Sequence, residues 1–499
     1  MEGLTYLGNA LAALAGPWQI AYALGATLAG IVIGLLPGLS ATLGVALFTT
    51  LTVKMAPNDA ILVLICVYVG AIYGGSRTAI LLNIPGTAAN AAACLDGNML
   101  ARQGKAGRAM GIATTGSVAG SLFGVVALAM FTPMLSEVAL SFGAFEFFWL
   151  GIVGVMMSGS LTGSNPVKGW LMGLLGIFVA TIGLDPIHAH PRFTFDQNAM
   201  TGGIGLIPAL VGAFGFAEIL TVMSEPKVAP IRSATDSILP RMRDVLQYWR
   251  TVVRSGLIGV FVGILPGVGE DMASWSSYAA AKRASRERHL FGKGSVEGLM
   301  AAETGDNAAV PGALIPALAL GIPGSAPAAV LMAAMIIHGA QPGPMLMINQ
   351  PQYIYDVVGI TLVATLGILV FGLILVRPIL WVLRVPREII MPIVFVLCVL
   401  GAYSITQRLF DVWVMLVTGI VCYLLRRRGF PVAPFVLGLV LGDIIDKSLR
   451  RGMVLSDGSL EPFFTRPISA VLAALVAIML LLQVPFIRRW LPGTARPEK

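Results

Sequence analysis

The sequence predicts an all-α polytopic membrane protein made of two homologous halves, each carrying broken or re-entrant helices. Three observations carry that fold class. Of 499 residues, 57% are hydrophobic and 12% are charged, against about 25% charged in soluble proteins, and mean hydropathy is +0.85. Apolar runs near the roughly 20 residues that cross a bilayer recur from end to end. Pro-Gly pairs interrupt those runs twice in each half, in the same order.

In the first half the apolar runs are Trp18–Leu36, Leu39–Val53, Ala60–Tyr73, Thr78–Ile84, Ala109–Thr132, Leu135–Met157, Val167–Leu184 and Ala199–Met223. The longest polar stretch, Ser224–Arg250, reads as a cytoplasmic linker. The second half supplies Val252–Leu265, Met272–Ala281, Ala308–Leu320, Ala326–His338, Val357–Leu375, Ile389–Ser404, Val412–Leu425, Val432–Ile445 and Ile468–Val484. The expected organisation is therefore a first transmembrane half over 1–223, a linker over 224–250 and a second half over 251–499. No basic region and cleavage site precede the first apolar run, so it is expected to be a retained span.

The breaks are the strongest signal. Gly34-Leu35-Leu36-Pro37-Gly38-Leu39-Ser40 returns as Gly263-Ile264-Leu265-Pro266-Gly267-Val268-Gly269, and Asn83-Ile84-Pro85-Gly86-Thr87 returns as Gly321-Ile322-Pro323-Gly324-Ser325. Proline stops a helix and glycine permits a sharp turn. Inside lipid, the freed backbone groups each cost several kcal/mol unless protein or water satisfies them. Paired breaks at matching places in two halves point to a transporter binding site. Pro37 and Pro266 lie 229 residues apart, Pro85 and Pro323 238, and Ser160 and Trp170 match Ser404 and Trp413 at 244 and 243. That slow drift is what small loop insertions after a duplication produce. Whether the crossings per half are odd or even decides between inverted and parallel repeats, and the broken segments leave the count open. The reading adopted is inverted repeats with an elevator-like mechanism.

Net charge is +8, with basic clusters at Arg241–Arg254, Lys282–Lys293 and Arg426–Arg428. Short basic loops follow the positive-inside rule, and no aromatic interleaving supports nucleic-acid binding. Arg102, Lys105 and Arg108, the linker and Lys282–Lys293 mark the cytoplasmic side. Near the C-terminus the rule conflicts with itself, because Arg426–Arg428, Lys447–Arg451 and Arg488-Arg489 flank successive runs. Cys66, Cys94, Cys398 and Cys422 show no CxxC spacing and read as small packing residues. His188 and His190, in Asp185–Pro191, could form a two-ligand metal site but read rather as loop histidines; no ATPase or catalytic motif is present in the sequence, so neither an enzyme nor a cofactor is expected.

A helix that starts after a Pro-Gly tip presents free N–H groups and a positive dipole end, which attract anions. Gly38, Ser40 and Thr42 follow the first tip, and Asn83, Gly86 and Thr87 form the second. Gly267 and Gly269 form the third, and Gly324 and Ser325 the fourth. Small hydroxyls and bare backbone admit a carboxylate. Tyr73-Gly74-Gly75-Ser76-Arg77 leads into the second break, where Arg77 either pairs with a substrate carboxylate or serves a structural role. Glu303-Thr304-Gly305-Asp306-Asn307 precedes the fourth break. Asp306 and Asn307 offer hard oxygens for Na⁺ or a carboxylate for H⁺, and intramembrane acids are functional by default. Glu270-Asp271, just past the third break, offers similar groups and reads rather as interfacial. Glu137, Glu146, Glu218, Asp356, Asp443 and Asp446 read as structural or interfacial.

With these residues in place, the chain resembles the large membrane subunit of the tripartite tricarboxylate transporters. The resemblance rests on Gly34–Thr42, Tyr73–Ser76, Leu82–Thr87 with Asp96-Gly97, Arg192–Phe195, Gly263–Gly269, Glu303–Asn307, Leu320–Ser325 with Gly339–Pro344, and Gly429–Arg451. It implies a secondary transporter of the bacterial inner membrane. It also implies a small membrane subunit, a periplasmic solute-binding receptor delivering an organic carboxylate, and a Na⁺ or H⁺ gradient as driving force. Gly38, Ser40, Thr42, Ser76, Asn83, Gly86, Thr87, Gly267, Gly269, Asn307, Gly324 and Ser325 would line the substrate site, with Asp306 and Asn307 at the coupling ion. Two departures stand out: the family usually has paired asparagines where this chain has Asp306-Asn307, and tends to Glu at Asp446. The rival reading is a non-transporting helical scaffold or channel subunit of a larger complex.

Overall fold

A computed structural model of the chain describes residues 2–36, 38–161, 165–185, 189–224, 246–374 and 387–481. Helices dominate them, as expected of an all-α membrane protein. The first stretch holds α1 (Glu2–Leu14), α2 (Pro17–Leu35), α3 (Ala41–Thr52), α4 (Pro57–Leu82), α5 (Ala91–Arg102), α6 (Ala106–Ala139), α7 (Ala144–Leu161) and α8 (Pro166–Ala180). A two-residue antiparallel pair follows, β1 (Gly183–Leu184) with β2 (Pro191–Arg192). Next come α9 (Asn198–Thr201) and α10 (Leu206–Ser224), which widens to a π-helix over Val211–Phe216. The remainder is α11 (Trp249–Ile264), α12 (Gly269–Ala284), α13 (Val296–Leu320), α14 (Ala326–Ile337), α15 (Pro344–Asn349), α16 (Pro351–Ile374), α17 (Arg387–Ser404), α18 (Leu409–Arg427), α19 (Ala433–Leu455), α20 (Pro462–Thr465) and α21 (Pro467–Leu481). Prolines outside the breaks commonly start helices, as at Pro17, Pro57, Pro166 and Pro344, where the missing N–H has no helical acceptor anyway.

Six helices among the described residues are long and apolar enough to cross a membrane: α2, α4, α6, α10, α16 and α18. Their outward faces are greasy, as lipid requires. On α18 the exposed residues include Trp413, Val417, Ile420 and Leu424, and on α6 they include Val126, Met130 and Met134. Most of the expected linker, residues 225–245, lies outside the described residues, as do Pro37 and His188.

The described chain forms two compact units, one drawn from 1–139 and 204–428, the other from 140–203 and 429–499. In the first, α4 and α13 are the central helices. Every residue from Ala60 to Leu81 and from Glu297 to Ala319 is buried, and a helix that is apolar nearly all round is buried on all sides. The two apolar runs expected over Ala60–Tyr73 and Thr78–Ile84 are one helix. Gly74 and Gly75 do not break it because they sit where another backbone approaches: a Cβ on Gly74 would strike the Ile31 carbonyl of α2. Gly30 and Gly34 of α2 face Val67 and Ala71 of α4 in the same close manner, while Gly259 and Gly263 of α11 face Gly305 and Ala309 of α13. Glycines four apart allow such backbone-to-backbone packing in membranes.

The second unit packs α7, α8 and α19 together with α20, α21 and the β pair. Arg192 of β2 makes a two-pronged bond to Asp446 of α19, at 3.0 Å to Oδ2 from each terminal nitrogen. Arg450 joins Asp446 at 3.0 Å and also pairs with Asp185. Glu146 of α7 receives Ser469 at 2.9 Å and Arg466 at 3.1 Å. Glu146 and Asp446 thus make structural contacts, in keeping with their reading from sequence. Trp170 donates to Ser160 at 3.1 Å, whereas in the first unit Ser404 donates to Gly401 and Trp413 is exposed. That matched pair does not share its contact.

Candidate functional site

Each Pro-Gly break in the first unit is a local backbone device. At the first, Gly38 adopts φ +90° and Ser40 caps α3 by accepting from the Leu43 N–H at 3.2 Å. At the second, α4 ends on Asn83 in the left-handed region, φ +58°, and the Gly86 N–H turns back to the Gly75 carbonyl at 3.3 Å. The second half repeats these moves. Gly267 at φ +74° and Gly269 at φ +57° lead into α12. Gly321 at φ +70° ends α13, the Gly324 N–H turns back to the Ala313 carbonyl at 3.3 Å, and Ser325 caps α14 by accepting from Ala328 at 3.3 Å. A side chain on Gly86 would strike the Gly34 carbonyl, and one on Gly324 the Gly263 carbonyl. Each break is thus seated against its partner break in the same half, which answers part of the backbone problem that lipid poses.

Polar side chains gather where the halves meet. Asn90, three residues past Thr87, accepts from the Thr87 hydroxyl at 2.6 Å, and its amide nitrogen reaches Ser76 Oγ and Asp306 Oδ2, both at 3.1 Å. Asp306 also accepts from Asn307 at 2.6 Å. Glu303 accepts from Ser76 at 2.7 Å and from Ser117 of α6 at 2.9 Å. Tyr68 of α4 hydrogen-bonds Glu270 of α12, and its hydroxyl lies 2.8 Å from Ser325 Oγ. The structure therefore brings together Ser76, Gly86, Thr87, Asp306 and Asn307 on one side, and Gly269, Gly324 and Ser325 on the other. Gly38, Ser40 and Thr42 stay with the first tip, where Gly38 abuts Val222. Gly267 is buried in its tip and Asn83 is exposed.

The electrostatics are unusual for a dry interior. Glu303 is 0% exposed, Asp306 1% and Glu270 3%. Among the described residues none of them is in an ion pair. The nearby cation, Arg77, is 2% exposed. It is held by the Met110 carbonyl at 2.9 Å, Thr114 at 2.7 Å and the Tyr73 hydroxyl, all neutral groups. Of the two roles open to Arg77, the structural one matches these contacts. Glu303 Oε1, Thr304 Oγ1 and Asn307 Oδ1 are buried with no hydrogen-bond partner. Such orphaned oxygens cost about 1–3 kcal/mol each and are the donor set a small hard cation takes.

Three corrections to the sequence reading follow. Glu270 is interior, not interfacial, because α12 starts at Gly269 inside the fold; its neighbour Asp271 is the exposed one. Glu303 belongs to the cluster as fully as Asp306, being almost one helical turn away on α13. Tyr68, Asn90 and Ser117 were not singled out. Asn90 left one signal, a lone amide three residues after Thr87 in an alanine run; Tyr68 and Ser117, in long apolar or small-residue runs, left none.

A model of the tripartite tricarboxylate transporter TctA family matches residues 20–437. The chain is 35% identical to an uncharacterized 52.8 kDa protein of the TAR-I ttuC' 3' region of Agrobacterium vitis, over 95% of this chain and 94% of that one. It is also 36% identical to an uncharacterized protein of the TAR-II ttuC' 3' region of the same organism, over 46% of this chain and 96% of that one. No solved structure matches.

Proposed function

The chain belongs to the tripartite tricarboxylate transporter TctA family, and from that premise we propose that it is the permease subunit of a secondary transporter for organic di- and tricarboxylates. In this reading the protein works in the bacterial inner membrane beside a small membrane subunit. A periplasmic solute-binding receptor delivers the substrate, and a Na⁺ or H⁺ gradient drives uptake. Substrate carboxylates bind at the breaks, against the starts of α12 and α14, with Thr87, Gly269 and Ser325 as close linings. The coupling cation sits among Glu303, Asp306 and Asn307, whose unpaired charge and orphaned oxygens a monovalent cation or proton would relieve. The observation that carries the proposal is that the second, third and fourth breaks converge on buried acids that form no ion pair among the described residues.

Inverted duplication and an elevator-like movement belong to the same proposal. The duplication draws support from a crosswise pattern. Tyr68 and Asp306 lie 238 residues apart, the offset of the second and fourth breaks. Each crosses to the break region of the other half, Tyr68 to Ser325 and Asp306 to Asn90 next to Thr87. A two-fold relation between halves would produce such reciprocal contacts.

Reconstitution in proteoliposomes tests the function. Saturable, receptor-dependent carboxylate uptake that follows an imposed Na⁺ or H⁺ gradient supports the carrier. Passive conductance, or no flux in any subunit combination, returns the scaffold or channel reading.

A further inference from the structure

Between the third and fourth breaks the fold already holds a carboxylate. Glu270 is the second residue of α12, in the first turn where backbone N–H groups lack helical acceptors. Its carboxylate takes the Tyr68 hydroxyl, and that hydroxyl also reaches Ser325 Oγ at 2.8 Å. Ser325 lies directly against Gly269, where an added Cβ would stand 2.6 Å from the Ser325 Cβ. Tyr68 and Ser325 are both buried, as Glu270 is, and no described cation pairs with Glu270. Stability alone does not account for such a group, since an uncompensated buried charge is strongly unfavourable and an apolar side chain would pack there at less cost.

We propose that Glu270 is an internal stand-in for a substrate carboxylate. In the empty protein it accepts from the Tyr68 hydroxyl, which Ser325 contacts in turn, beside the start of α12, and an arriving carboxylate displaces it from these groups. The inference rests on the carboxylate site proposed above and adds a role in the cycle. With Glu270 in place, the empty carrier returns through the membrane without leaving buried donors unmatched. The same carboxyl group competes with the substrate for those donors and so sets how tightly the substrate binds.

The test uses the complete complex in proteoliposomes, with the radiolabelled di- or tricarboxylate, from citrate, succinate and tartrate, that gives the fastest wild-type counterflow. Net uptake requires return of the empty carrier, and counterflow does not. Glu270→Ala, which removes the acceptor, should lower the ratio of net uptake to counterflow about tenfold. Glu270→Gln keeps an acceptor of the same shape, so its ratio should stay within about threefold of wild type while KM for the carboxylate falls about tenfold. An unchanged ratio in E270A, or an unchanged or raised KM in E270Q, overturns the proposal. The isosteric E270Q decides alone if E270A fails to insert. Absence of counterflow with all three substrates in the wild type would instead sink the carboxylate reading, and this inference with it.

Discussion

Gly86 and Gly324 show how single atoms fix the breaks. An added Cβ on Gly86 would come within 2.5 Å of the Gly75 Cα, and one on Gly324 within 2.7 Å of the Ala313 Cα. Backbone cannot yield as a flexible side chain does, so overpacking of about 1–3 kcal/mol is expected. Gly86→Ala and Gly324→Ala should both lower the melting temperature in detergent and abolish uptake. Gly25→Ala, on a helix with open space around it, should be neutral or stabilising. Equal melting temperatures for all three variants would contradict the seating of the breaks. At Asp306, replacement by Asn removes one of three buried acids that form no ion pair among the described residues. Apparent affinity for the coupling cation should fall at least tenfold, since neighbouring charges interact by several kcal/mol at short range. Initial uptake rates measured against graded Na⁺ and graded pH check this, and identical curves for the variant and wild type would exclude Asp306 from the ion site. Asp306-Asn307 was legible in the sequence because an acid and an amide stand out in an apolar run. Their partners were not, because Ser76 lies 227 residues from Glu303 and Asn90 lies 216 from Asp306. Only the fold puts them side by side.

Among elements, the breaks were legible because proline and glycine act locally, on the backbone of their own segment. The continuity of α4 was not, because whether Gly74-Gly75 interrupts a helix depends on the helix packed against it. Chain reversal also leaves its mark on residue type. Asn83 and Gly321 end α4 and α13 in the left-handed region, where a Cβ costs about 1–2 kcal/mol and Asn is the tolerated exception. Asn83→Gly should therefore retain full stability, while Asn83→Val and Gly321→Val should lose at least about 1 kcal/mol each, read from the shift of thermal unfolding. A Val variant as stable as wild type would mean the helix end can relax. In the second unit the β pair is tied to α19 through Arg192 and Asp446. Arg192→Lys removes the two-pronged geometry while keeping the charge. Its melting temperature should fall between those of wild type and Arg192→Ala, and recovery of the full wild-type value by Lys would show that charge alone suffices.

At the scale of the whole molecule, the two sequence halves supply each other's buried polar partners. Glu303 and Asp306 of the second half are satisfied by Ser76, Ser117 and Asn90 of the first, and Glu270 is bonded to Tyr68. A half on its own would strip Glu303 and Glu270 of these donors and leave Asp306 with Asn307 alone, at several kcal/mol per unmatched group. Apolar packing between α6 and α13, and between α2 and α4, points the same way for the first of these pairs, because α13 comes from the second half and α6 from the first. The molecule therefore does not divide into two self-sufficient halves, even though each half carries a full pair of breaks. Cutting the chain within residues 225–245 provides the measurement. Expressed separately, the fragments 1–230 and 240–499 should be degraded or aggregate; expressed together, they should co-purify and recover receptor-dependent uptake, because every contact named above joins residues retained in the two fragments. Accumulation of either fragment alone as a monodisperse membrane protein would show that its buried acids find other partners, and the interlocked arrangement of the halves would have to be abandoned.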